Sequence, residues 1–165
     1  MPERPLIKVA RADYTDPVHG AALIDLLDSY ARDPAGGGAP LSDFTRANLV
    51  SQLAARPFIF SVLAFDSGTP VGLVNAIEGF STFACRPLVN VHDVLVLPAY
   101  RGRGIAAQMF REVEAVASER GACKLTLEVL DGNASARALY RRLGFTPYQL
   151  DPAMGHAQFL HKWLV

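Results

Sequence analysis

The chain carries no excess of positive or negative charge. Lysine plus arginine and aspartate plus glutamate number 16 each, giving a formal net charge of zero. A dedicated nucleic-acid binder normally carries a basic excess, so that class is disfavoured, although a local basic pocket is not. Cysteine is scarce. Cys85 and Cys123 allow one disulfide at most and form no CxxC pair; they are expected to be buried, reduced thiols. Long apolar runs are missing too. None reaches the ~18 residues of a membrane helix, and the opening Met-Pro-Glu-Arg-Pro lacks the apolar core of a signal peptide. A cytoplasmic protein without membrane contact is expected. The four histidines, His19, His92, His156 and His161, include no convincing helical i, i+4 pair, so no metal is expected.

What is present suits a folded domain. Half of the 165 residues are apolar and 19% are charged, which allows a sizeable core in a single domain over 1–165. Leu6 to Arg11 reads as a strand. Pro17 opens a helix that stops near Asp33, before Pro34. After the Gly36-Gly37-Gly38 break, Ser42 caps a second helix through Ala54, with Phe44, Leu49, Val50 and Leu53 on its inner side. Phe58 to Phe65 and Val71 to Ile77 form a hairpin around Asp66-Ser67-Gly68-Thr69-Pro70. Val89 to Leu97 is a strongly apolar strand. Arg103 to Arg120 is an amphipathic helix ended by Gly121. Lys124 to Leu130 is a strand, Ser135 to Leu143 a helix and Gln158 to Leu164 a terminal strand. The order predicts an α/β fold: a mixed, mostly antiparallel sheet with a β-α-β crossover and helices on both faces.

The stretch Arg101-Gly102-Arg103-Gly104-Ile105-Ala106 joins a strand to the long helix. Its glycines permit close backbone approach. Helix-start N–H groups lacking internal partners, together with two arginines, favour an anion such as pyrophosphate. The terminal Gly-Lys-Ser/Thr of a nucleotide P-loop is absent. A tight surface turn with solvated arginines is the plainer alternative.

Arg-x-x-Gly-x-Ala after an apolar strand resembles the acyl-CoA signature of GNAT acetyltransferases. Asn133-Ala134-Ser135-Ala136-Arg137-Ala138-Leu139-Tyr140, followed by Leu143-Gly144-Phe145, is similar to that family's second motif. The resemblance implies a GNAT-like fold whose Val89–Leu97 and Lys124–Leu130 strands splay into a slot. It implies acetyl-CoA as co-substrate. The pantetheine arm would pair with Val94, Leu95 and Val96, and the pyrophosphate would lie on Arg101, Gly102, Arg103, Gly104, Ile105 and Ala106. Asn133 and Ala136 would touch the middle of the cofactor. A backbone N–H, that of Leu95, would stabilise the oxyanion of acyl transfer. Tyr140, at the position of the family's general acid, would also contact the cofactor and protonate the departing thiolate.

Only a neutral amine attacks, so a base is needed. His92 and Asp93 interrupt the apolar run and are candidates; strict alternation would send them to opposite faces. An imidazole suits base work near neutral pH. Glu128 is a further candidate. Gly79-Phe80-Ser81-Thr82-Phe83 and His92-Asp93 resemble segments of diamine and polyamine acetyltransferases, which carry an acidic pair where this chain has His92-Asp93. That departure weakens the case for a polyamine. Phe80, Phe83, His92, Asp93 and Glu128 are the expected acceptor contacts, although aromatic core packing also accounts for the phenylalanines. The expected activity is N-acetylation of a small primary amine, diamine or amino-acid-like, by a homodimer. A protein lysine or N-terminal acetyltransferase is the second reading, and a non-catalytic CoA-binding sensor the third.

Overall fold

A computed structural model describes residues 7–164. They fall into two compact units, one running to Leu130 and the other beginning at Asp131.

The first unit is a five-stranded sheet in the order β1-β2-β3-β4-β5. The strands are β1 (Ile7–Arg11), β2 (Ile59–Asp66), β3 (Thr69–Ser81), β4 (Arg86–Val96) and β5 (Leu125–Leu127). The first four pair antiparallel, and β5 pairs parallel to β4. The parallel pair requires a crossover. That crossover is α3 (Ile105–Glu119), while α1 (Pro17–Arg32) and α2 (Asp43–Ala54) connect β1 to β2.

The starts of the first two helices follow local chemistry. Asp16 caps α1 by accepting from the Val18 N–H at 2.8 Å, and Pro17 takes the first helical position. Ser42 caps α2 by accepting from Thr45 N–H at 3.1 Å. One position expected to face inward does not: Phe44 is 76% exposed. It lies nine residues before buried Leu53, and at about 100° per residue that is the opposite side of the helix.

The sheet is buried on both faces, with Val62, Leu63, Ala64, Leu73 and Val74 all inaccessible. Leu23 and Leu26 of α1 pack with Leu63, Phe65, Leu73 and Leu95. Alternation turns Gly72 and Val74 to the other face. There Met109 of α3 lies so close over Gly72 that an added Cβ would come within 2.9 Å of its Cε.

The second unit contains α4 (Ala134–Arg142). The expected terminal strand is not formed: residues 156–164 carry no strand pairing. Phe159, Leu160, Trp163 and Leu164 are exposed. A strand is defined by a ladder partner, which composition alone does not provide. Leu6, placed at the start of β1 from the sequence, lies outside the described residues.

Candidate active site

The chemistry predicted for β4 depends on where its edge is paired. Val89, Asn90 and Val91 pair with Leu125, Thr126 and Leu127, and the ladder then stops. Beyond Val91, β4 keeps its β3 partner to Val96 but, among the described residues, has no strand on its other side. The two strands therefore part after Val91 and Leu127. The next residue on each, His92 and Glu128, is exposed at that fork.

A bulge sits at the same point. Val91 faces Ala76 and Asp93 faces Asn75, leaving His92 as the extra residue. Cross-strand partners share a face, so Val91 and Asp93 lie on opposite faces although they are two apart. Strict alternation, which would separate His92 from Asp93, does not hold here. The bulge also resets the backbone. The Leu97 N–H donates to Val71 O at 2.9 Å. Hydrogen-bonded pairs recur every second residue, so the Leu95 N–H is directed at Leu73 in β3. The expected oxyanion donor at Leu95 is thus occupied by the ladder. Val94 and Val96 turn their backbone groups to the open edge. Arg101 Nε accordingly donates to Val96 O at 3.0 Å.

The turn following β4 is built as the glycine pattern required. Gly102 and Gly104 have φ of 76° and 75°, a left-handed conformation costly for most residues. Gly104 starts α3 and supplies no side-chain cap. The first helical backbone bond beyond it is Gln108 N–H to Gly104 O, so the N–H groups of Ile105, Ala106 and Ala107 have no intrahelical partner. Arg103 donates to Ala99 O at 3.0 Å and lies over the Tyr100 ring. Among the described residues neither Arg101 nor Arg103 has a carboxylate partner within ion-pair distance. Unpartnered donors and two uncompensated cations fit an anionic ligand such as the phosphates of acetyl-CoA.

Asp93 is half-buried and accepts from Asn75 Nδ2 at 3.0 Å. Asn75 is joined to Ser61, and Ser61 to Tyr14. None of these three polar residues stands out in the sequence; the only signal is a polar residue inside each of two apolar strands. The Tyr30 phenol on α1 is pushed up by burial and then by the Asp93 and Asp33 carboxylates, which puts Asp93 in the field of α1.

Phe80 and Phe83 are not brought to this fork. Phe80 faces Pro87, five ladder steps from the Asn75–Asp93 pair, or roughly 17 Å along the strand. Phe83, at the tip of the β3–β4 hairpin, is fully exposed. Cys85 shares that tip and is exposed rather than buried, in a left-handed conformation.

In the second unit, Asn133 caps α4, its Oδ1 accepting from Ala136 N–H at 3.2 Å. Tyr140 is buried to 9% exposure and meets Phe145 edge-on at 5.9 Å between ring centroids. Among the described residues, no cluster of three or more His, Cys, Asp or Glu side chains could hold a metal ion. No helix among them is long and apolar enough to cross a membrane.

A mixed sheet that opens along β4 and runs into an uncapped helix start defines an architecture able to take an extended, anion-bearing ligand. A model of the acetyltransferase (GNAT) family matches residues 20–145, and the chain belongs to that family. It is 38% identical over 87 residues to streptothricin acetyltransferase of Streptomyces lavendulae, covering 51% of this chain and 46% of that protein. It is 41% identical over 56 residues to thialysine N-epsilon-acetyltransferase of Bos taurus, covering 34% and 33%. The chain thus spans less than half the length of these curated relatives. Its fold matches an aminoglycoside N-acetyltransferase solved with CoA, at a TM-score of 0.74 and 17% identity over 98% of each chain.

Proposed function

We propose that this chain is an acetyl-CoA-dependent N-acetyltransferase that modifies a primary amine of a small molecule. The carrying observation is the open edge of β4 beyond Val91, which leads directly into the uncapped start of α3. Acetyl-CoA supplies the activated acetyl group. The chain's own residues hold it and its acceptor. The N–H groups of Ile105 and Ala106, with Arg101 and Arg103, bind the phosphates. Val94 and Val96 offer backbone partners to the extended arm, as an added strand would use them. Asp93 receives the acceptor's ammonium. His92, exposed at the fork, takes up a proton so that the amine becomes nucleophilic; Glu128 is its competitor for that role. Tyr140 donates to the departing sulfur, as the family's second motif implies, and Asn133 and Ala136 contribute to the cofactor site.

The small-amine reading is supported by the names of relatives that act on thialysine and streptothricin. A protein amine is the second reading. It is favoured by the exposure of Phe80 and Phe83, which leaves them free to meet a large surface rather than wall a closed pocket. The deciding experiment is thiol release from acetyl-CoA across a panel, with mass spectrometry of products. The panel contains thialysine, streptothricin, sisomicin, 1,3-diaminopropane and a lysine peptide. Acetylation of a small amine at a rate well above the peptide's is expected. Binding of acetyl-CoA without turnover on any amine would replace the enzyme by a CoA-binding sensor.

A further inference from the structure

The interior of the first unit contains a row of polar side chains that the core does not need. Ser61 on β2 is 1% exposed and Asn75 on β3 is 7% exposed. Both stand among apolar neighbours on the α1 side of the sheet. Burying hydroxyl and amide groups is costly unless they bond to one another. Here they do, in a row across the strands: Tyr14 hydroxyl to Ser61 Oγ at 2.8 Å, Ser61 Oγ to Asn75 Oδ1 at 2.6 Å, and Asn75 Nδ2 to Asp93 Oδ2 at 3.0 Å.

The proton positions along this row are determined by chemistry. An ionised carboxylate only accepts, so the Asn75 amide must turn its NH2 toward Asp93. Its carbonyl oxygen then faces Ser61 and must be given a hydrogen bond. Ser61 has one hydroxyl proton, which it commits to Asn75, so Tyr14 must donate to Ser61. Every donor therefore points toward Asp93, and bonds in such a chain strengthen one another. The row ends on a carboxylate with no lysine or arginine partner among the described residues. Its Oδ1 accepts no hydrogen bond from any described residue. A half-buried anion with one oxygen held and the other without a protein partner among the described residues suits a cation. It sits on the bulge where β4 leaves β5.

We infer that Asn75 is a positioning residue. It fixes Oδ2 of Asp93 so that Oδ1 receives the ammonium of the acceptor, and Ser61 and Tyr14 in turn fix Asn75. The inference rests on the proposed N-acetyltransferase function. It adds a specificity rule: the acceptor must present a cationic amine, and a neutral isostere such as an alcohol is not bound.

The test is a double-mutant cycle between Asn75→Leu and Asp93→Asn, assayed with the fastest amine of the panel. Asn75→Leu keeps the branched shape and the number of heavy atoms and removes the donor. It should raise KM for the amine about tenfold, within the range for partners in one hydrogen-bond network. The kcat and the KM for acetyl-CoA should stay within about threefold. In the Asp93→Asn background the same change should alter KM less than about twofold, because no carboxylate remains to position. Equal factors in both backgrounds, or an unchanged KM in wild type, overturn the inference. If Asn75→Leu does not fold, Ser61→Ala breaks the row one step earlier and should raise the amine KM in the same direction. An unchanged KM there also overturns it. A second readout needs no acceptor. The side-chain amide resonance of Asn75, identified by its loss in Asn75→Leu, should move in Asp93→Asn. A stationary resonance removes the positioning link even if amines are turned over. A moving resonance with no turnover on any amine leaves the link standing and instead refutes the proposed function, and with it the ammonium role.

Discussion

Gly104 combines two demands in one position. Its φ of 75° favours a residue without Cβ, yet the space that a Cβ would enter is open, with no atom within 4 Å. The demands of backbone shape and of charge can be separated. Asn tolerates the left-handed conformation better than most residues and adds no charge, whereas Asp places an anion where the phosphates are proposed to bind. Titration calorimetry should find acetyl-CoA affinity lowered by about tenfold or more in Gly104→Asp, or roughly 1.4 kcal/mol. Gly104→Asn should lose much less. Equal losses would mean that backbone shape, not phosphate charge, sets affinity. Tyr140 poses the complementary question, because it is buried against Phe145 and could act purely in packing. Tyr140→Phe preserves the ring. A general acid contributes about 10²–10⁴-fold, so kcat should fall within that range while the melting temperature holds. A normal kcat in single-turnover measurements, with a lowered melting temperature, would assign Tyr140 to packing.

At the scale of elements, the connection between α1 and α2 is organised by one carboxylate. Asp28 accepts from Arg32 Nε at 2.9 Å and from the Leu41 N–H at 2.9 Å, with Arg46 at 3.2 Å. The Arg32 hydrogen bond first, then the Leu41 N–H, holds its carboxyl below the ordinary carboxylate range. A depressed folded-state pKa contributes stability above the unfolded value, about 3.9, and that contribution is lost as pH falls through the folded pKa. Asp28→Asn should therefore lower the melting temperature at pH 7, and the gap to wild type should narrow as pH drops from about 5 toward 3. A constant gap would mean that the ionised carboxylate is not what holds the connection. Most element types could be read from the chain, because Pro17, Ser42 and the glycine turn act locally. The bulge in β4 could not. It is set by the register against β3, and it decides that Val94 and Val96, not Leu95, face the open edge. The row through Ser61 and Asn75 was hidden for the same reason, since its members lie 14 and 18 residues apart in sequence. The left-handed glycine turn before α3 was legible because glycine spacing and helix start are adjacent in the chain.

For the molecule as a whole, the open question is how many units unfold independently. The family match runs from residue 20 to 145 and so crosses the boundary between the units. That crossing supports the proposal that both units belong to one acetyltransferase domain. Scanning calorimetry should then show a single transition whose calorimetric and van't Hoff enthalpies agree. Acetyl-CoA should move that transition as one. A ligand bound only to the folded state at 100 times its Kd adds about 2.7 kcal/mol. For a domain of this size that is roughly 5–10 °C in melting temperature. Gly104→Asp should lose most of the shift at the same ligand concentration, since it alters the proposed phosphate site. A calorimetric enthalpy well above the van't Hoff value would instead show separate unfolding. In that case acetyl-CoA would raise only the transition of the unit that binds it, and the single-domain reading would fall while phosphate binding at residues 101–106 would stand.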